Sequence, residues 1–195
     1  MQPLVILGVK FLPENIRVKD ATYKFLAICF LVFSLEIFYP PIMKYFTLAK
    51  NLLFPITAFT HIFAHATITH FIVNMLMLFF FGPELESIIG SRRFALLFIV
   101  AGVFAGVGQI LMFGSGVIGA SGAIMGIFGC LTVLNPRMKV YLFLVIPLEL
   151  WMITLLYVWY DIFYLEIGPT NVAHIAHLIG LGIGAGYGYK LRKSL

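Results

Sequence analysis

The polar side chains of this 195-residue sequence are few and clustered. Its five histidines fall within two segments, residues 61–70 and 174–177, and a Gly-Ala-Ser-Gly tetrapeptide that contains Ser121 lies between them. A serine hydroxyl becomes an effective nucleophile when a base within hydrogen-bonding reach accepts its proton, and histidine is the natural base near neutral pH. This combination indicates acyl transfer, with hydrolysis of a peptide bond through an acyl-enzyme as its concrete form.

A second group of residues could stabilise the oxyanion that such a reaction forms. His70 and Asn74 are four residues apart, so they share one face of a helix. Ser121 stands at the expected start of a helix, where backbone N–H groups lack partners and favour negative charge. One donor of this kind typically contributes about 2.7–4 kcal/mol to the transition state.

Clustered histidines also suggest a metal site, because histidine is a common metal ligand. His70, Asn74 and one serine, with no aspartate or glutamate nearby in the sequence, are a poor ligand set for zinc. We therefore expect no metal. Transport of metal ions or protons is an alternative function, since Glu36 and Glu149 also fall within apolar runs. We interpret these two glutamates instead as internal hydrogen-bonding groups.

The composition places these residues in a membrane. Hydrophobic residues make up 62% of the chain against a usual ~45–50%, and charged residues make up 11% against ~25%. A soluble domain of this size could not hide so much apolar surface. The formal net charge is +5, but the basic residues border the apolar runs, so membrane orientation explains them better than nucleic-acid binding does. Cys29 and Cys130 are expected to be small buried hydrophobic side chains.

Six apolar runs, each close to the ~20 residues that a helix needs to cross a bilayer, predict an all-α polytopic membrane protein with one domain over residues 1–195. The runs cover roughly residues 22–42, 66–83, 94–113, 119–135, 138–160 and 170–189. With the N-terminus inside, eleven of the 13 lysines and arginines lie inside, which predicts that both termini are cytoplasmic. The first twenty residues show no pattern of a signal or transit peptide.

Depth and glycine spacing predict that three of these helices share one site. At ~1.5 Å per residue, Ser121, His70 and His177 each lie roughly 20–22 Å above the inner end of their run. Gly122 and Gly126 in the fourth run, and the glycines that follow His177 in the sixth, recur at helical spacing. Small residues at such spacing let helix backbones pack closely in lipid, which would bring His177 toward Ser121.

Four segments carry a specific pattern and occur in a fixed order. They are His65-x4-His70-x3-Asn74, Gly82-x3-Glu86-x3-Gly90, Gly119-Ala-Ser121-Gly122-x3-Gly126-x2-Gly129 and Ala176-His177-x2-Gly180-x3-Gly184. Over roughly residues 57–188 the sequence resembles the rhomboid family of intramembrane serine proteases. Each segment alone is a weak indication of this family, but the four together, in this order and spacing, are a highly specific one.

The resemblance implies a Ser–His dyad without an acid, in which Ser121 is the nucleophile and His177 is the general base and acid. It also implies an oxyanion hole formed by His70, Asn74 and the Ser121 backbone N–H, within a six-transmembrane-helix rhomboid-like bundle. The implied partners are transmembrane protein substrates in the lipid bilayer, with no cofactor and no nucleic acid, and the implied location is the cell membrane, crossed several times. The residues with structural or packing roles are His65, Glu86, Gly122, Gly126, Gly180 and Gly184.

Two departures from the family pattern and two alternatives accompany these expectations. Many relatives carry a Trp-Arg pair where this chain has Ile56-Thr57, and some carry a tyrosine where it has Met125. His174 is the alternative base, but His177 is preferred because its spacing to the glycines that follow matches the family pattern. The alternative function is that of a family member that binds transmembrane helices without cleaving them.

Overall fold

A computed structural model describes residues 5–6, 9–10, 20–51, 53–114, 116–142, 145–167 and 172–193, and this part of the chain is mostly helical. Most of the first nineteen residues, on which the signal-peptide prediction depends, lie outside the described residues. The helices are α1 (Asp20–Phe38), α2 (Phe54–Thr60), α3 (Ile68–Ile89), α4 (Ser91–Phe113), α5 (Ser121–Leu134), α6 (Leu150–Ile167) and α7 (His174–Arg192).

Short strands and turns complete the described structure. Two antiparallel pairs are formed by β1 (Val5–Ile6) with β2 (Val9–Lys10), and by β3 (Lys139–Leu142) with β4 (Ile146–Glu149). Turns of 3-10 helix occupy Pro40–Tyr45 and His61–Phe63. The predicted site residues Ser121, His177, His70 and Asn74 all lie on helices and not on these strands or turns.

Four helices within the described ranges, α1, α3, α4 and α6, are long and apolar enough to cross a membrane. The helix α5 is also apolar but has only 14 residues. The five helices α1, α3, α4, α5 and α7 each begin within four residues of a predicted apolar run. Hydropathy therefore locates most of the helices.

The fifth predicted run differs from the structure at both ends. Its first residues form the hairpin of β3 and β4, and α6 begins only at Leu150. Pro147 explains the late start, because proline lacks the N–H that a helix interior needs and its ring clashes with the preceding turn. Glu149 lies in this hairpin and not in a membrane helix, and it accepts hydrogen bonds from Lys139 Nζ at 2.9 Å and Trp151 Nε1 at 2.8 Å. The helix α6 then extends seven residues past the predicted end.

The centre of the bundle is α5. Its residues from Gly122 to Leu131 are all buried, which is typical of an apolar helix enclosed by others. On one side Phe128 packs on Phe81 of α3, with ring centroids 4.4 Å apart. On another side Gly122 lies against Ala105 of α4. Contacts on several sides thus fix the position of α5.

The backbones of α5 and α7 touch at paired glycines. A Cβ atom at Gly180 would overlap the carbonyl oxygen of Gly122, and one at Gly184 would overlap that of Gly126. Small residues of this kind let membrane helices approach closely. Because these contacts repeat every turn, they fix the position of α7 along α5.

The carboxylate of Glu86 joins α3 to the start of α1. It accepts hydrogen bonds from the Ala21 backbone N–H at 3.0 Å, the Thr22 N–H at 2.9 Å and the Thr22 hydroxyl at 2.6 Å. The first N–H groups of a helix have no partner within the helix, and negative charge is favourable there. Glu86, buried within the apolar α3, therefore caps α1 from a neighbouring helix.

Replacing Glu86 with alanine is expected to destabilise the fold. The change leaves the buried donors of Ala21 and Thr22 without an acceptor, at a cost of about 2–4 kcal/mol. Thermal unfolding in detergent, followed by circular dichroism, measures the loss. Glu84→Ala is the matched control in the same helix, and equal midpoints for the two variants would contradict the capping role.

Replacing Gly180 with alanine is expected to force α5 and α7 apart, because the new methyl group overlaps the Gly122 carbonyl. Overpacking of this kind costs about 1–3 kcal/mol. Gly182 lies two residues away in α7, and a Cβ there meets nothing within 4 Å. Gly182→Ala should therefore leave the unfolding midpoint unchanged or raise it slightly, since alanine favours helix. Similar midpoints for both variants would argue against the close contact.

Candidate active site

Ser121 is the first residue of α5, and a tight turn precedes it. Gly119 has φ +122°, a conformation that side chains disfavour, and its N–H donates to the His61 carbonyl at 2.8 Å. The His70 ring packs directly on this turn, because a Cβ at Gly119 would lie 2.5 Å from His70 Cε1. Glycine at this position thus permits both the turn into α5 and the approach of α3.

The structure brings Ser121 and His177 into hydrogen-bonding contact. Ser121 Oγ and His177 Nε2 are 2.9 Å apart, although the residues are 56 positions apart in the chain. Both side chains are half-buried, with 16% of the His177 side chain exposed. The contact lies one turn from the Gly122–Gly180 contact, so the packing of α5 on α7 positions it.

An acid also contacts the histidine, contrary to the sequence-based expectation of a dyad without one. Asp161 Oδ1 of α6 is 3.1 Å from His177 Nδ1, and the aspartate is fully buried. The expected fifth run ended at residue 160, which placed this aspartate outside the membrane. An acid within the apolar helix α6 was the available signal, since ionisable residues inside membrane helices mark functional sites by default.

The second histidine of α7 contacts the same carboxylate. His174 Nδ1 is 2.7 Å from Asp161 Oδ1, and its ring stacks on Tyr164 with centroids 5.6 Å apart. The hydrogen bond to Ser121 is made by His177, while the Nδ1 atom of His174 faces α6. The two histidines are thus one turn apart with distinct neighbours.

These three residues could also hold a metal ion. Asp161, His174 and His177 each offer one ligand atom, and the three atoms lie within 4.8 Å of one another. One carboxylate and two imidazoles suit zinc. The sequence-based reason for expecting no metal, the lack of a nearby acid, therefore does not apply here. The separations of 2.7 and 3.1 Å between Asp161 Oδ1 and the two nitrogens are those of hydrogen bonds.

The two residues expected to donate to an oxyanion, His70 and Asn74, lie in the first turns of α3. Asn74 is buried, and its side-chain Nδ2 donates to the His70 carbonyl at 2.8 Å, which leaves one N–H of the amide free of that bond. Within the described residues, no hydrogen bond joins either side chain to Ser121. Their roles in the site stay predictions.

His65, for which a structural role is implied, is buried beside the same helix. Its ring meets the His70 ring edge-on at 5.1 Å, and its backbone N–H donates to Glu36 Oε2 of α1 at 3.1 Å. His65 therefore lies between α1 and His70, whose ring packs on the turn before Ser121.

Gln109 of α4 also contacts the helix of His177, although it was not among the residues predicted for the site. Its side-chain Oε1 accepts a hydrogen bond from the Ala176 backbone N–H at 3.3 Å, and the side chain is buried. Ala176 precedes His177 in the first turn of α7, where backbone N–H groups lack helical partners. A glutamine inside an apolar run was the signal that could have revealed this contact.

Comparisons with known proteins agree with the motif pattern. The family model of the rhomboid domain matches residues 55–194. The chain is 28% identical over 125 residues to the rhomboid protease GlpG of Yersinia pseudotuberculosis, a stretch that covers 64% of this chain and 44% of that protein. Rhomboid protein 1, mitochondrial, of Saccharomyces cerevisiae is 28% identical over 142 residues, which cover 68% of this chain and 41% of that protein.

The chain spans less than half the length of these relatives. The rhomboid domain nevertheless covers most of this chain and contains the turn before Ser121, the Ser121–His177 contact and the aspartate beside it. Helices long and apolar enough to cross a membrane accompany that domain. The resemblance is confirmed, and the chain belongs to the rhomboid family of multi-pass membrane proteins.

Proposed function

We propose that this protein is an intramembrane serine endopeptidase that hydrolyses peptide bonds in or near the transmembrane segments of other membrane proteins. Ser121 and His177 act as a dyad, and the reaction passes through an acyl-enzyme. The observation that carries the proposal is the 2.9 Å separation of Ser121 Oγ and His177 Nε2, contributed by two different helices. The name of one relative, the rhomboid protease GlpG of Yersinia pseudotuberculosis, supports it.

The proton transfers follow from this contact. His177 Nε2 accepts the hydroxyl proton as Ser121 Oγ attacks the peptide carbonyl carbon. The resulting imidazolium then gives that proton to the leaving amine, and the carbon–nitrogen bond breaks to leave an ester on Ser121. Water, deprotonated by the same nitrogen, hydrolyses the ester and restores the serine.

The oxyanion of each tetrahedral intermediate needs donors close to Ser121. The position of Ser121 at the start of α5 supports a role for its backbone N–H, which has no carbonyl partner within the helix. The contact of His70 with Gly119 supports a role for the imidazole, two residues from the nucleophile. Asn74 lies one turn further along α3 and supplies an amide N–H. Each such donor typically contributes about 2.7–4 kcal/mol in the transition state.

We assign six membrane helices to the active protein, α1 and α3 to α7, with both termini in the cytoplasm. The burial of α5 from Gly122 to Leu131 supports its inclusion despite its length, because a helix enclosed by protein need not match the lipid thickness by itself. In this orientation Ser121 lies below the outer surface of the cell membrane. A substrate helix must unwind there, so that an extended peptide reaches the hydroxyl.

Removing either member of the dyad is expected to abolish proteolysis. Ser121→Ala and His177→Ala should each lower the rate of cleavage about a thousandfold or more, because nucleophile and base act as a unit. Cleavage of a model transmembrane substrate in detergent, followed by gel electrophoresis, measures the rate. Ser87→Ala is the matched control, since that exposed hydroxyl donates to the Glu84 carbonyl of its own helix and, among the described residues, to no other group. Full activity of Ser121→Ala would refute the dyad.

A fluorophosphonate probe is expected to label the wild-type protein at Ser121 and to leave Ser121→Ala unlabelled. Such probes form a bond with a serine that a base has activated, so labelling does not depend on finding a substrate. Mass spectrometry of the labelled peptide identifies the residue. A properly folded wild-type protein that takes no label would favour the alternative of a protein that binds transmembrane helices without cleaving them.

A further inference from the structure

We propose that Asp161 is a positioning residue for this reaction: its carboxylate accepts a hydrogen bond from the Nδ1–H of His177 and so keeps Nε2 free to take the proton of Ser121. The inference rests on the proposed function, because it adds a third residue to the same site. It is carried by the contacts that join an aspartate of α6, a histidine of α7 and a serine of α5, with separations of 3.1 and 2.9 Å.

The tautomer of His177 is the first reason. A neutral imidazole has one ring proton, so one nitrogen donates and the other accepts. For Nε2 to accept from the serine hydroxyl, the ring proton must reside on Nδ1. An ionised carboxylate only accepts hydrogen bonds, so Asp161 beside Nδ1 selects that tautomer over the reverse one.

The charge that forms during the reaction is the second reason. His177 becomes an imidazolium when it takes the serine proton, and a charge away from water is costly unless an opposite charge lies beside it. Asp161 is fully buried, so solvent does little to screen its interaction with the ring. The aspartate keeps its own protonation state and balances the charge of the ring.

The geometry around the carboxylate is the third reason. Asp161 Oδ1 lies near two imidazole nitrogens, Nδ1 of His174 at 2.7 Å and Nδ1 of His177 at 3.1 Å. A role limited to joining α6 to α7 would be met by the shorter bond alone. The second bond leads to the histidine that contacts Ser121, which is what a role in orienting that ring requires.

Several other titratable groups lie near the contact of Asp161 with His177, and a substitution of Asp161 leaves them unchanged. They are Tyr157, Tyr160 and Tyr164 on α6, His174 on α7 and His70 on α3. Two uncharged groups are also close: the Ser121 hydroxyl of α5 bonds to His177, and the Gln109 amide of α4 bonds to the backbone of Ala176, the residue before His177. An altered pH profile in the variant would therefore report the loss of the carboxylate.

Asp161→Asn tests the role while nearly preserving the shape of the side chain. We expect kcat near neutral pH to fall at least about tenfold with little change in KM, because the change affects the reacting ring and not substrate binding. The acidic limb of the pH–rate profile should also differ from that of the wild-type protein, since the reacting ring loses its neighbouring carboxylate. A wild-type kcat and pH profile in a folded Asp161→Asn protein would overturn the inference.

Two variants separate positioning from packing. Asp20→Asn makes the same chemical change at the exposed start of α1, where Asp20 pairs with Lys24 at 3.6 Å, and it should keep wild-type kinetics. His174→Asn removes the other bond to Asp161 and should lower the unfolding midpoint while shifting the acidic limb less than Asp161→Asn does. If both site variants lose stability in parallel and neither shifts that limb, Asp161 has only a packing role.

A measurement on the wild-type protein covers the case in which Asp161→Asn does not fold. Nitrogen-15 NMR of histidine-labelled protein, with the His177→Ala spectrum used for assignment, reports which ring nitrogen carries the proton. A proton on Nδ1 supports the inference, and a proton on Nε2 overturns it. Dialysis against EDTA should leave proteolysis unchanged; a loss that zinc restores would overturn the inference, because the three donors would then hold a cation.

These outcomes distinguish failure of the inference from failure of the proposed function. If the wild-type protein neither cleaves a transmembrane substrate nor takes the fluorophosphonate label, the proposed function fails, whatever the tautomer of His177. If cleavage and labelling depend on Ser121 but the ring proton is on Nε2, only the role of Asp161 fails.

Discussion

Direct contact between two helix backbones sets the geometry on which the rest of the structure depends. At the glycine pairs Gly122–Gly180 and Gly126–Gly184 no side chain separates α5 from α7. A hydroxyl at the start of one helix can reach an imidazole in the first turn of the other only because the two axes lie so close. The 2.9 Å contact of Ser121 with His177 is thus a consequence of glycine packing that begins within one turn of it and continues into the bundle.

Polar groups inside the apolar helices bond across to other helices, and in doing so they hold the bundle together. Glu86 of α3 caps α1, Gln109 of α4 accepts from the first turn of α7, and Asp161 of α6 bonds two histidines of α7. Away from water, each of these groups would be costly without a partner. The need to satisfy them selects a particular arrangement of helices, which apolar contacts alone would specify less sharply.

Apolar runs and glycine spacing were enough to predict most of the helices and the approach of α5 to α7. Hydropathy could not reveal that the residues around Pro147 form a hairpin, because apolar strands and apolar helices have the same composition. That error in the start and end of α6 hid Asp161, whose contact with His177 spans 16 residues and depends on how α6 packs. The roles predicted for His70 and Asn74 concern an oxyanion that forms only when a substrate reacts, so neither the sequence nor the helix packing specifies them.

The cap that Glu86 provides determines the end of the bundle at which α1 begins. Glu86 and His70 are 16 residues apart on α3, which corresponds to roughly 24 Å along the helix axis. The first residues of α1 are bonded at the Glu86 end, whereas the turn before Ser121 packs at the His70 end. A fluorescent protein or affinity tag fused ahead of Asp20 would therefore emerge on the opposite face of the molecule from the serine and leave its surroundings unobstructed.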